Sequence, residues 1–456
     1  MNKILSILVT VLLIQTSIYA QLSKIYDFTG SATVGKEPLG GLITDGTYLY
    51  GMTQWGGANN KGTIFKIKTD GTDYSLLYSF DNANGERPDG DLVLINNFLY
   101  GTTVEGGTNN VGVIFKIKTD GSAFAKLYDF SGDAIPGQLI TDGTMLYGIS
   151  HSGDGTALHQ GLGFIFKLNF DGSNFSVIHV FNGNGGGSII RGKLIKTGSV
   201  IYGIAENGGL NGNGILYKID DSGANFSIVY QFNEQHINSI ITDGIYFYGT
   251  TDFGGSSGAG SLFKVKFDGT DYQLLKDFSS VDGYEPYGNL FLNGSILYGA
   301  TNGGGTTGDG NIYKINTDGT GFQTLYNCGI LNYKGTKPKG SFILLNNYLY
   351  GMMQLGGNSY LGTIFKYQLT TTGINDINSN LNVSVYPNPA NNLLHIQSEI
   401  SYSKYFIINT LGQYIVSDTT LNNKQIDISD IPTGTYLLVL ITNDKKINTC
   451  EIIIKK

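Results

Sequence analysis

Short apolar runs of four to six residues recur along most of this chain, and turn residues separate them. The runs are rich in Ile, Tyr, Phe and Thr, and Gly, Asp or Asn bounds most of them. β-Branched and aromatic residues favour strands, and the runs do not follow the 3.6-residue period of a helix. The pattern therefore predicts an all-β fold of short strands joined by hairpins.

The chain contains seven tandem copies of one sequence repeat. The dipeptide Tyr-Gly marks each copy, at intervals of 46 to 55 residues. Each copy contains four strand-like phrases in the order G-x-L-I, L-Y-G-x-T, I-F-K-I and F-x-x-L-Y-x-F. Four hairpin-connected strands in roughly 45–50 residues are typical of a β-propeller blade. We expect the tyrosine of each dipeptide to fill the gap between blades and its glycine to let neighbouring sheets approach.

The number of phrases predicts how the ring of blades closes. The seventh copy stops at Tyr367 without its fourth strand, and an unmatched fourth-strand phrase occupies residues 25–28, before the first copy. The N-terminal strand is therefore expected to complete the last blade, which removes the free edges of the ring. We predict a seven-bladed β-propeller over residues 21–369.

The pattern changes after residue 369. Residues 370–380 are polar and lack aromatic side chains, which is typical of a linker. Residues 381–456 contain alternating apolar pairs such as Val383/Val385 and Ile452/Ile454. They are predicted to form a small Ig-like β-sandwich.

The first 20 residues have the pattern of a secretory signal peptide. Lys3 supplies the positive charge, an apolar stretch covers residues 4–14, and Ala20 places a small residue at the cleavage point. A short membrane anchor is the alternative, but the stretch is too short to span a bilayer comfortably. No later segment is apolar over a sufficient length, so we expect an exported protein without a transmembrane segment.

Composition narrows the class of protein. Among 456 residues there are 66 glycines, 12% aromatic residues and only 14% charged residues, the reverse of the balance in disordered chains. The net charge is −7 and only two arginines occur, so nucleic acid is not an expected partner. The two cysteines, Cys328 and Cys450, lie far apart in the sequence and predict neither a disulfide nor a metal cluster.

Three motifs follow one another near the end of the chain, which finishes in lysines. They are Tyr386-Pro387-Asn388-Pro389-Ala390, Leu411-Gly412-Gln413 and Ile428-Ser-Asp-Ile-Pro-Thr-Gly434-Thr-Tyr436. In this order they resemble the type IX secretion C-terminal sorting domain. The resemblance implies a Bacteroidetes-type bacterium, passage through the Sec route and the type IX machinery, and a final place on the outer-membrane surface or outside the cell. An Ig-like accessory domain that binds a ligand is the alternative.

The repeated phrases also carry a resemblance. The pattern L-Y-G-x-T-x-x-G-G…G-x-I-F-K-I-x-x-D-G, over about residues 24–369, resembles the Gloeo/Verruco (GloVer) tandem repeat family and, more distantly, kelch repeats. The GloVer family implies exported surface proteins. It supplies no chemistry that can be transferred to positions of this chain.

Residues that occur only once are the candidates for function, because residues present in all seven copies are expected to hold the fold together. The seven I-F-K-I lysines and the Asp-Gly aspartates are therefore expected to be structural or solvated. In a propeller, the long Gly-Gly loops and the blade connections share one face, where a ligand is expected. The candidates in the Gly-Gly loops are Trp55, Glu105, His151, Asp154, His159, Glu206 and Tyr360, with Phe253 also there and Glu37, Glu86, Arg87, Arg191, Glu234, His236 and Glu285 in the connections.

The chemistry of these candidates is not that of a known motif. His151, Asp154 and His159 could hold a divalent metal, but their spacing matches no metal motif and no third protein ligand is evident. Gly-rich loops such as residues 303–310 could hold Ca²⁺, but they lack the alternating acidic pattern of a dedicated loop. We therefore expect no cofactor. No Ser-His-Asp order, H-E-x-x-H or P-loop stands out.

Three functions remain open for a protein expected to be monomeric. The first is a non-enzymatic propeller that binds an extracellular glycan or protein. The second is a polysaccharide-degrading lyase or hydrolase on the same scaffold, and the third is passive surface-layer material. Several one-off carboxylates or histidines meeting at the mouth of the central channel would favour the enzyme, whereas scattered acids with a flat aromatic face would favour binding.

The sorting motifs generate the first prediction. Deletion of residues 381–456 is expected to leave the protein in the periplasm, because the truncated chain keeps its signal peptide and lacks the segment read by the type IX machinery. Cell fractionation with immunoblotting measures this, with the full-length chain as the control. Normal surface delivery of the truncated chain would refute the assignment.

Overall fold

The computed structural model describes residues 22–153, 162–183, 186–233, 236–329, 334–369, 383–398, 401–409, 414–421, 424–442 and 447–456. The chain divides into two compact units, Met1–Leu369 and Thr370–Lys456. The predicted signal peptide lies outside the described residues. The expectation of an all-β fold is confirmed: in the described ranges the strands are interrupted by one short 3₁₀ helix, Asn82–Asn84.

The described strands of the first unit form seven antiparallel sheets of four or five strands, one for each repeat, which we number 1 to 7, and one separate two-stranded sheet. In chain order the strands of the first three repeats are β1 (Leu22–Asp27), β2 (Gly35–Lys36), β3 (Ile43–Thr44), β4 (Tyr48–Thr53), β5 (Trp55–Gly56), β6 (Thr63–Lys68), β7 (Ser75–Ser79), β8 (Glu86–Ile95), β9 (Phe98–Glu105), β10 (Val113–Lys118), β11 (Ala125–Asp129), β12 (Pro136–Thr141), β13 (Leu146–Ser150), β14 (Phe164–Leu168) and β15 (Ser176–Val180).

The strands of the other four repeats are β16 (Ser188–Thr197), β17 (Val200–Asn207), β18 (Ile215–Asp220), β19 (Ser227–Gln231), β20 (Ile237–Thr242), β21 (Tyr246–Thr251), β22 (Ser261–Lys266), β23 (Gln273–Asp277), β24 (Tyr284–Pro286), β25 (Phe291–Asn293), β26 (Ile296–Gly303), β27 (Asn311–Asn316), β28 (Gln323–Asn327), β29 (Ile343–Leu345), β30 (Tyr348–Met353) and β31 (Thr363–Gln368). Within each sheet, strands consecutive in the repeat lie side by side, except that β24 and β25 both pair with β26. Strands β2 and β5 form the two-stranded sheet.

The N-terminal strand supplies the fourth strand that the seventh repeat lacks. Strand β1 pairs antiparallel with β31, with Leu22 opposite Tyr367 and Asp27 opposite Thr363. The Lys334 Nζ atom also donates a hydrogen bond to the carbonyl oxygen of Leu22, at 2.8 Å. Sheet 7 therefore combines the two ends of the repeat region.

Apolar cores lie between consecutive sheets, so each sheet is covered on both faces. One such core contains Leu92 and Leu99 of sheet 2 together with Tyr50 and Ile64 of sheet 1. Another joins Phe65 of sheet 1 to Ile364 of sheet 7. Sheets 1 and 7 are therefore neighbours, although their repeats lie at opposite ends of the first unit.

Stacked rings join the outer parts of neighbouring sheets. Tyr78 of sheet 1 stacks on Phe124 of repeat 2, with the ring centroids 3.8 Å apart. The same contact recurs around the unit, in the pairs Tyr26/Tyr74, Tyr128/Phe175, His179/Phe226 and Tyr230/Tyr272. At the seam between sheets 5 and 6, the Lys276 ammonium lies 4.7 Å from the Phe322 ring centroid instead. Large aromatic rings add stacking energy to the apolar area that they bury.

The repeated lysines also reach across these seams. Lys167 Nζ in sheet 3 donates to the carbonyl oxygen of Asp221 in repeat 4 at 2.7 Å, and Lys116 Nζ in sheet 2 donates to that of Phe170 in repeat 3 at 3.2 Å. Lys66 of sheet 1 makes the corresponding contact to Thr119 at 3.4 Å. These contacts give the lysines a structural part in joining repeats.

The glycine of each Tyr-Gly dipeptide makes room for an aromatic ring of its own sheet. Gly299 on β26 lies opposite Tyr313 on β27, and a Cβ atom at Gly299 would lie 2.3 Å from the Tyr313 hydroxyl oxygen. The other six pairs are Gly51/Phe65, Gly101/Phe115, Gly148/Phe166, Gly203/Tyr217, Gly249/Phe263 and Gly351/Phe365. The expectation that this glycine serves the approach of neighbouring sheets is replaced by a cross-strand contact within one sheet, because the atom nearest to a Cβ at each of these glycines belongs to the facing ring.

The second unit contains two antiparallel sheets. Its strands are β32 (Ser384–Tyr386), β33 (Leu393–Gln397), β34 (Tyr402–Asn409), β35 (Tyr414–Thr420), β36 (Gln425–Asp427), β37 (Gly434–Thr442) and β38 (Ile447–Ile454). One sheet has the order β32-β33-β36 and the other β35-β34-β37-β38. Leu394, Ile407, Ile426, Leu438 and Ile452 contribute to one core between them.

Two further features of the described residues concern membrane-spanning helices and disulfides. Among the described residues, no helix is long and apolar enough to cross a membrane. Cys328 and Cys450 are both free, and Cys328 is buried.

The ring-over-glycine contact generates a prediction about stability. Gly299→Ala is expected to lower the free energy of unfolding by about 1–3 kcal/mol, because its methyl group would overlap the buried Tyr313 ring. The matched control is Gly186→Ala, where a Cβ atom would meet nothing closer than 3.8 Å and a change within about 0.5 kcal/mol is expected. Chemical denaturation followed by circular dichroism compares the two. Equal effects of both substitutions would contradict the steric explanation.

Candidate functional site

The segments that lead into the sheets share an uncommon backbone conformation. The residue at one equivalent position has a positive φ in six repeats: 55° at Glu37, 54° at Arg87, 55° at Ile189, 61° at His236, 52° at Glu285 and 55° at Lys337. A left-handed backbone is uncommon for residues other than glycine and must be supported by its surroundings. The conformation is shared, whereas the side chain differs from repeat to repeat. The same backbone conformation thus carries side chains of different chemistry in different repeats.

Asp91 is the centre of a hydrogen-bond network that joins residues in or just before the first strands of several repeats. Its carboxylate accepts hydrogen bonds from the Gly41 backbone N–H at 2.6 Å, from Ser341 Oγ at 2.8 Å and from Asn289 Nδ2 at 3.5 Å. The Asn289 amide also donates to Gln138 Oε1 at 3.5 Å. Residues of repeats 1, 2, 3, 6 and 7 therefore meet along the line where a central channel is expected.

A buried carboxylate organises the seam between sheets 4 and 5. Glu206, near the end of β17, is only 4% exposed. One of its oxygens pairs with Arg191 Nε and the other with His236 Nδ1. The His236 side chain is 39% exposed. Its Nδ1 is engaged by Glu206, so Nε2 is the ring nitrogen that can serve a ligand.

Asp252 occupies in repeat 5 the position that Glu206 has in repeat 4. The side-chain amide of Asn238 donates both to the Asp252 carboxylate and, at 2.9 Å, to the carbonyl oxygen of Pro286. Burial raises the pKa of Asp252 to about 6, and the nearby carboxylate of Glu285 acts in the same direction. Asp252 therefore holds a proton at mildly acidic pH, where an ordinary aspartate has lost it.

A shallow cleft of about 280 Å³ lies beside this group of charges. Its walls include Phe253, Ser257, Ser280, Tyr284 and Glu285. Phe253 is 45% exposed and Tyr284 is 39% exposed. The Phe253 ring stands edge-on to the His236 ring at 5.3 Å, and the Glu285 carboxylate accepts a hydrogen bond from Asn302 Nδ2 at 2.8 Å. The cleft and the Glu206 pair are therefore adjacent parts of one site.

A second cluster brings together two of the predicted candidates. Arg87 lies over the Trp55 ring, with its guanidinium carbon 5.3 Å from the ring centroid, and also pairs with Glu105. Both members of the ion pair are partly exposed, so the pair contributes little to stability. This cluster joins repeats 1 and 2.

The other candidates are not brought into either group as ligand-facing side chains. The His151 ring donates a hydrogen bond through Nδ1 to the Ile190 carbonyl oxygen at 2.5 Å, and burial lowers the pKa of His151, which favours the neutral imidazole. Tyr360 is half exposed in the Gly-Gly loop of repeat 7. Asp154, His159 and Glu234 lie outside the described residues. Within the described ranges no three His, Cys, Asp or Glu residues form a metal-binding group, and the expectation that the loop of repeat 3 holds no metal stays a prediction.

The sorting motifs lie against the last strand of the second unit. Asn388 Oδ1 accepts from the Ile453 backbone N–H at 2.7 Å, and the Tyr386 ring stacks on His395 at 5.4 Å. Pro387 and Pro389 flank Asn388, and Gly434 begins β37. At the C-terminus, Lys456 Nζ donates to the carbonyl oxygens of Ile428 and Ser429 at 3.0 and 2.6 Å. Gly412 lies outside the described residues.

Sequence reasoning identified Glu206 as a site residue and named Arg191, His236, Phe253 and Glu285 as one-off residues without joining them. It missed Asp252 and Tyr284. The signal for Asp252 was its position two residues before a Gly-Gly pair, which is also the position of Glu206. The sequence does not distinguish Tyr284 from the many tyrosines that lie in the core.

Comparison with known proteins bears on the family and the fold. A family model described as the Gloeobacter/Verrucomicrobia repeat matches residues 11–159 and 237–402, and one described as a secretion system C-terminal sorting domain matches residues 384–455. A search of curated proteins gives no match.

Several solved structures share the fold at low sequence identity. An oligogalacturonate lyase in complex with manganese is 12% identical, covering 77% of this chain and 94% of that chain, with a TM-score of 0.51. An oligogalacturonate lyase from Vibrio parahaemolyticus is 11% identical over 78% and 95% of the two chains, with a TM-score of 0.50. A puromycin-hydrolyzing peptidase of Mycobacterium tuberculosis is 9% identical over 93% and 61%, with a TM-score of 0.53. At this identity they support a propeller-like fold.

The raised pKa of Asp252 predicts how stability depends on pH. The folded pKa of about 6 exceeds the ordinary 3.8, so between these values the unfolded chain has released a proton that the folded chain still holds. The resulting destabilisation grows from about pH 4 and is complete above about pH 6. A shift of one pKa unit corresponds to about 1.4 kcal/mol of folding free energy. Because solvent screens the group in part, ionisation of Asp252 is expected to lower the free energy of unfolding by about 1–2 kcal/mol.

Asp252→Asn is therefore expected to raise the thermal midpoint relative to the wild type at pH 8 and to leave it nearly unchanged at pH 4. Asp318→Asn is the control of opposite sign, because hydrogen bonds from Thr320 lower the pKa of Asp318 and its charge is stabilising at pH 8. Differential scanning calorimetry at the two pH values measures both. The same shift for Asp252→Asn at pH 4 and pH 8 would argue against burial as the cause.

Proposed function

This chain belongs to the Gloeobacter/Verrucomicrobia repeat family and ends in a type IX secretion C-terminal sorting domain, and we propose that it is a surface or secreted protein that binds an extracellular glycan. The sorting domain indicates export to the outer-membrane surface or the extracellular space and contact with the type IX secretion machinery. The observation that carries the binding function is the cleft with the exposed rings of Phe253 and Tyr284.

The fold proposed for this function is a closed seven-bladed propeller over residues 21–369, followed by a linker at 370–380 and an Ig-like sandwich at 381–456. Support for closure comes from β1, which pairs with β31, and from the core shared by sheets 7 and 1. Support for the sandwich comes from the two antiparallel sheets of the second unit around one core. A signal peptide at residues 1–20 and a monomeric state are part of the same proposal.

The chemistry of the cleft favours a sugar over other ligands. Phe253 and Tyr284 offer aromatic faces on which a sugar ring can stack, because pyranose C–H groups are apolar on one side. Ser257, Ser280 and Glu285 supply hydroxyl and carboxylate groups for sugar hydroxyls. Such a combination of apolar walls and a few polar groups is the usual composition of a small-ligand site.

The alternative of a polysaccharide-degrading enzyme is supported by a different observation. Glu206, His236, Asp252 and Glu285 are one-off titratable residues that lie close together beside the cleft. The sequence favours an enzyme where such residues meet at the mouth of the central channel, and here they meet beside the cleft instead. Two of the proteins with a similar fold are oligogalacturonate lyases, and a third hydrolyses puromycin. Binding is common to both functions, so it is the first to test.

Removal of either ring from the cleft is expected to weaken glycan binding. A glycan array with the secreted full-length protein selects the strongest glycan, and isothermal titration calorimetry measures its Kd. Phe253→Ala and Tyr284→Ala are each expected to raise that Kd about tenfold or more, because each deletes one stacking surface.

The control for this experiment is Ile245→Ala. Ile245 is also exposed, at 64%, but it lies in the turn between β20 and β21, at the opposite end of sheet 5 from the cleft. Its removal is expected to leave the Kd unchanged. Equal affinity of all three variants would place the binding site elsewhere, and an array without any bound glycan would contradict the proposed function.

A further inference from the structure

The contact between Glu206 and His236 occurs at the seam between sheets 4 and 5 and is not part of the pattern that all repeats share. The residues that correspond to Glu206 in the other repeats are Gln54, Val104, His151, Asp252, Asn302 and Gln354. A carboxylate that is 4% exposed is costly unless it is paired, and here Arg191 and His236 pair with it. A one-off buried charge that holds an accessible imidazole is a frequent arrangement at sites of proton transfer.

The geometry of this pair defines which ring nitrogen is available. Glu206 accepts the Nδ1 hydrogen of His236 and so favours the tautomer in which Nε2 carries a lone pair. The His236 backbone is held in the left-handed region at φ 61°, which fixes the direction in which the side chain leaves the chain. The ring is 39% exposed and stands edge-on to Phe253, a wall of the proposed glycan cleft.

We propose that His236 is a general base that removes a proton from a uronic acid residue of a glycan bound against Phe253, so that the glycan chain is cleaved by β-elimination. The inference rests on the proposed glycan site and adds a chemical step to it. Glu206 acts through His236 and is a positioning residue. Arg191 pairs with Glu206 through Nε, and its side chain is 40% exposed, so its terminal NH₂ groups can bind the carboxylate of the uronic acid.

The proposed step balances without an added reagent. His236 Nε2 accepts the proton of the carbon that bears the carboxyl group, which is C5 of the sugar. The electron pair of that C–H bond forms a C4–C5 double bond, and the bond from C4 to the glycosidic oxygen breaks. The leaving oxygen takes a proton from solvent, and His236 later returns its proton to solvent. Nothing is oxidised or reduced, and no water is consumed.

The surroundings of His236 favour this reaction class over hydrolysis. Glycoside hydrolysis uses two carboxyl groups on opposite sides of the bond, one of them as an acid and the other as a nucleophile or base. At this site the carboxylate of Glu206 is buried and engaged by both Arg191 and His236, and the exposed group is the imidazole that it orients. An oriented imidazole suits abstraction of a proton next to a carboxyl group.

The test uses the secreted full-length protein with polygalacturonate, alginate and hyaluronan as probes. Elimination creates a double bond conjugated with the carboxyl group, which is followed by ultraviolet absorbance, and binding of each polysaccharide is measured separately by calorimetry. His236→Asn keeps a side chain that tolerates the left-handed backbone but has no basic nitrogen. It is expected to lower the rate on the cleaved polysaccharide at least about 100-fold while its Kd changes less than threefold.

The matched control is Asp73→Asn, which breaks the exposed ion pair with Lys68 in the turn between β6 and β7 and is expected to keep the wild-type rate. A wild-type protein that binds a polysaccharide but releases no unsaturated product would overturn the inference and leave the proposed binding function standing. The same holds if His236→Asn turns over at the wild-type rate. Absence of binding to any glycan, on the array or in calorimetry, would overturn both.

Discussion

Every sheet of the first unit is apolar on both faces, and this constraint makes each sheet dependent on two neighbours. A linear row of such sheets would leave two apolar faces in water, one at each end. Strand β1 removes this problem, because it pairs with β31 and thereby places the N-terminal residues in sheet 7. The core between sheets 7 and 1 and the stacked pair Tyr26/Tyr74 then use the same strand.

Within that frame, the repeat separates residues that hold the fold from residues that differ among copies. The ring over glycine, the lysine that reaches the next repeat and the stacked pairs recur because each seam needs them. The connection segments also recur in backbone conformation, as the positive φ values of Glu37, Arg87, His236 and Glu285 show. Their side chains are free to differ, since none of them fills the core. Charged and aromatic groups can therefore accumulate on one end of the sheets without loss of packing.

Much of the fold could be read from the sequence because strand phrases and turns are local. The strand order in each sheet and the role of residues 25–28 followed from the number of phrases. The cross-strand role of the Tyr-Gly glycine did not, because it depends on which face of β27 carries Tyr313. For the site, the sequence supplied Glu206 as an unusual residue, but its meeting with Arg191 and His236 depends on the seam between two sheets. Asp252 was missed because its pKa is set by burial, which no local pattern reports.

The pairing of β1 with β31 also has a consequence for folding. Leu22 and Tyr367 lie opposite each other in one sheet, although almost the whole repeat region separates them in the sequence. Contacts between such distant residues make folding slow, because a long loop must close before they form. The first strand thus remains without its partner until the seventh repeat is in place, and the incomplete unit presents open sheet edges throughout that interval.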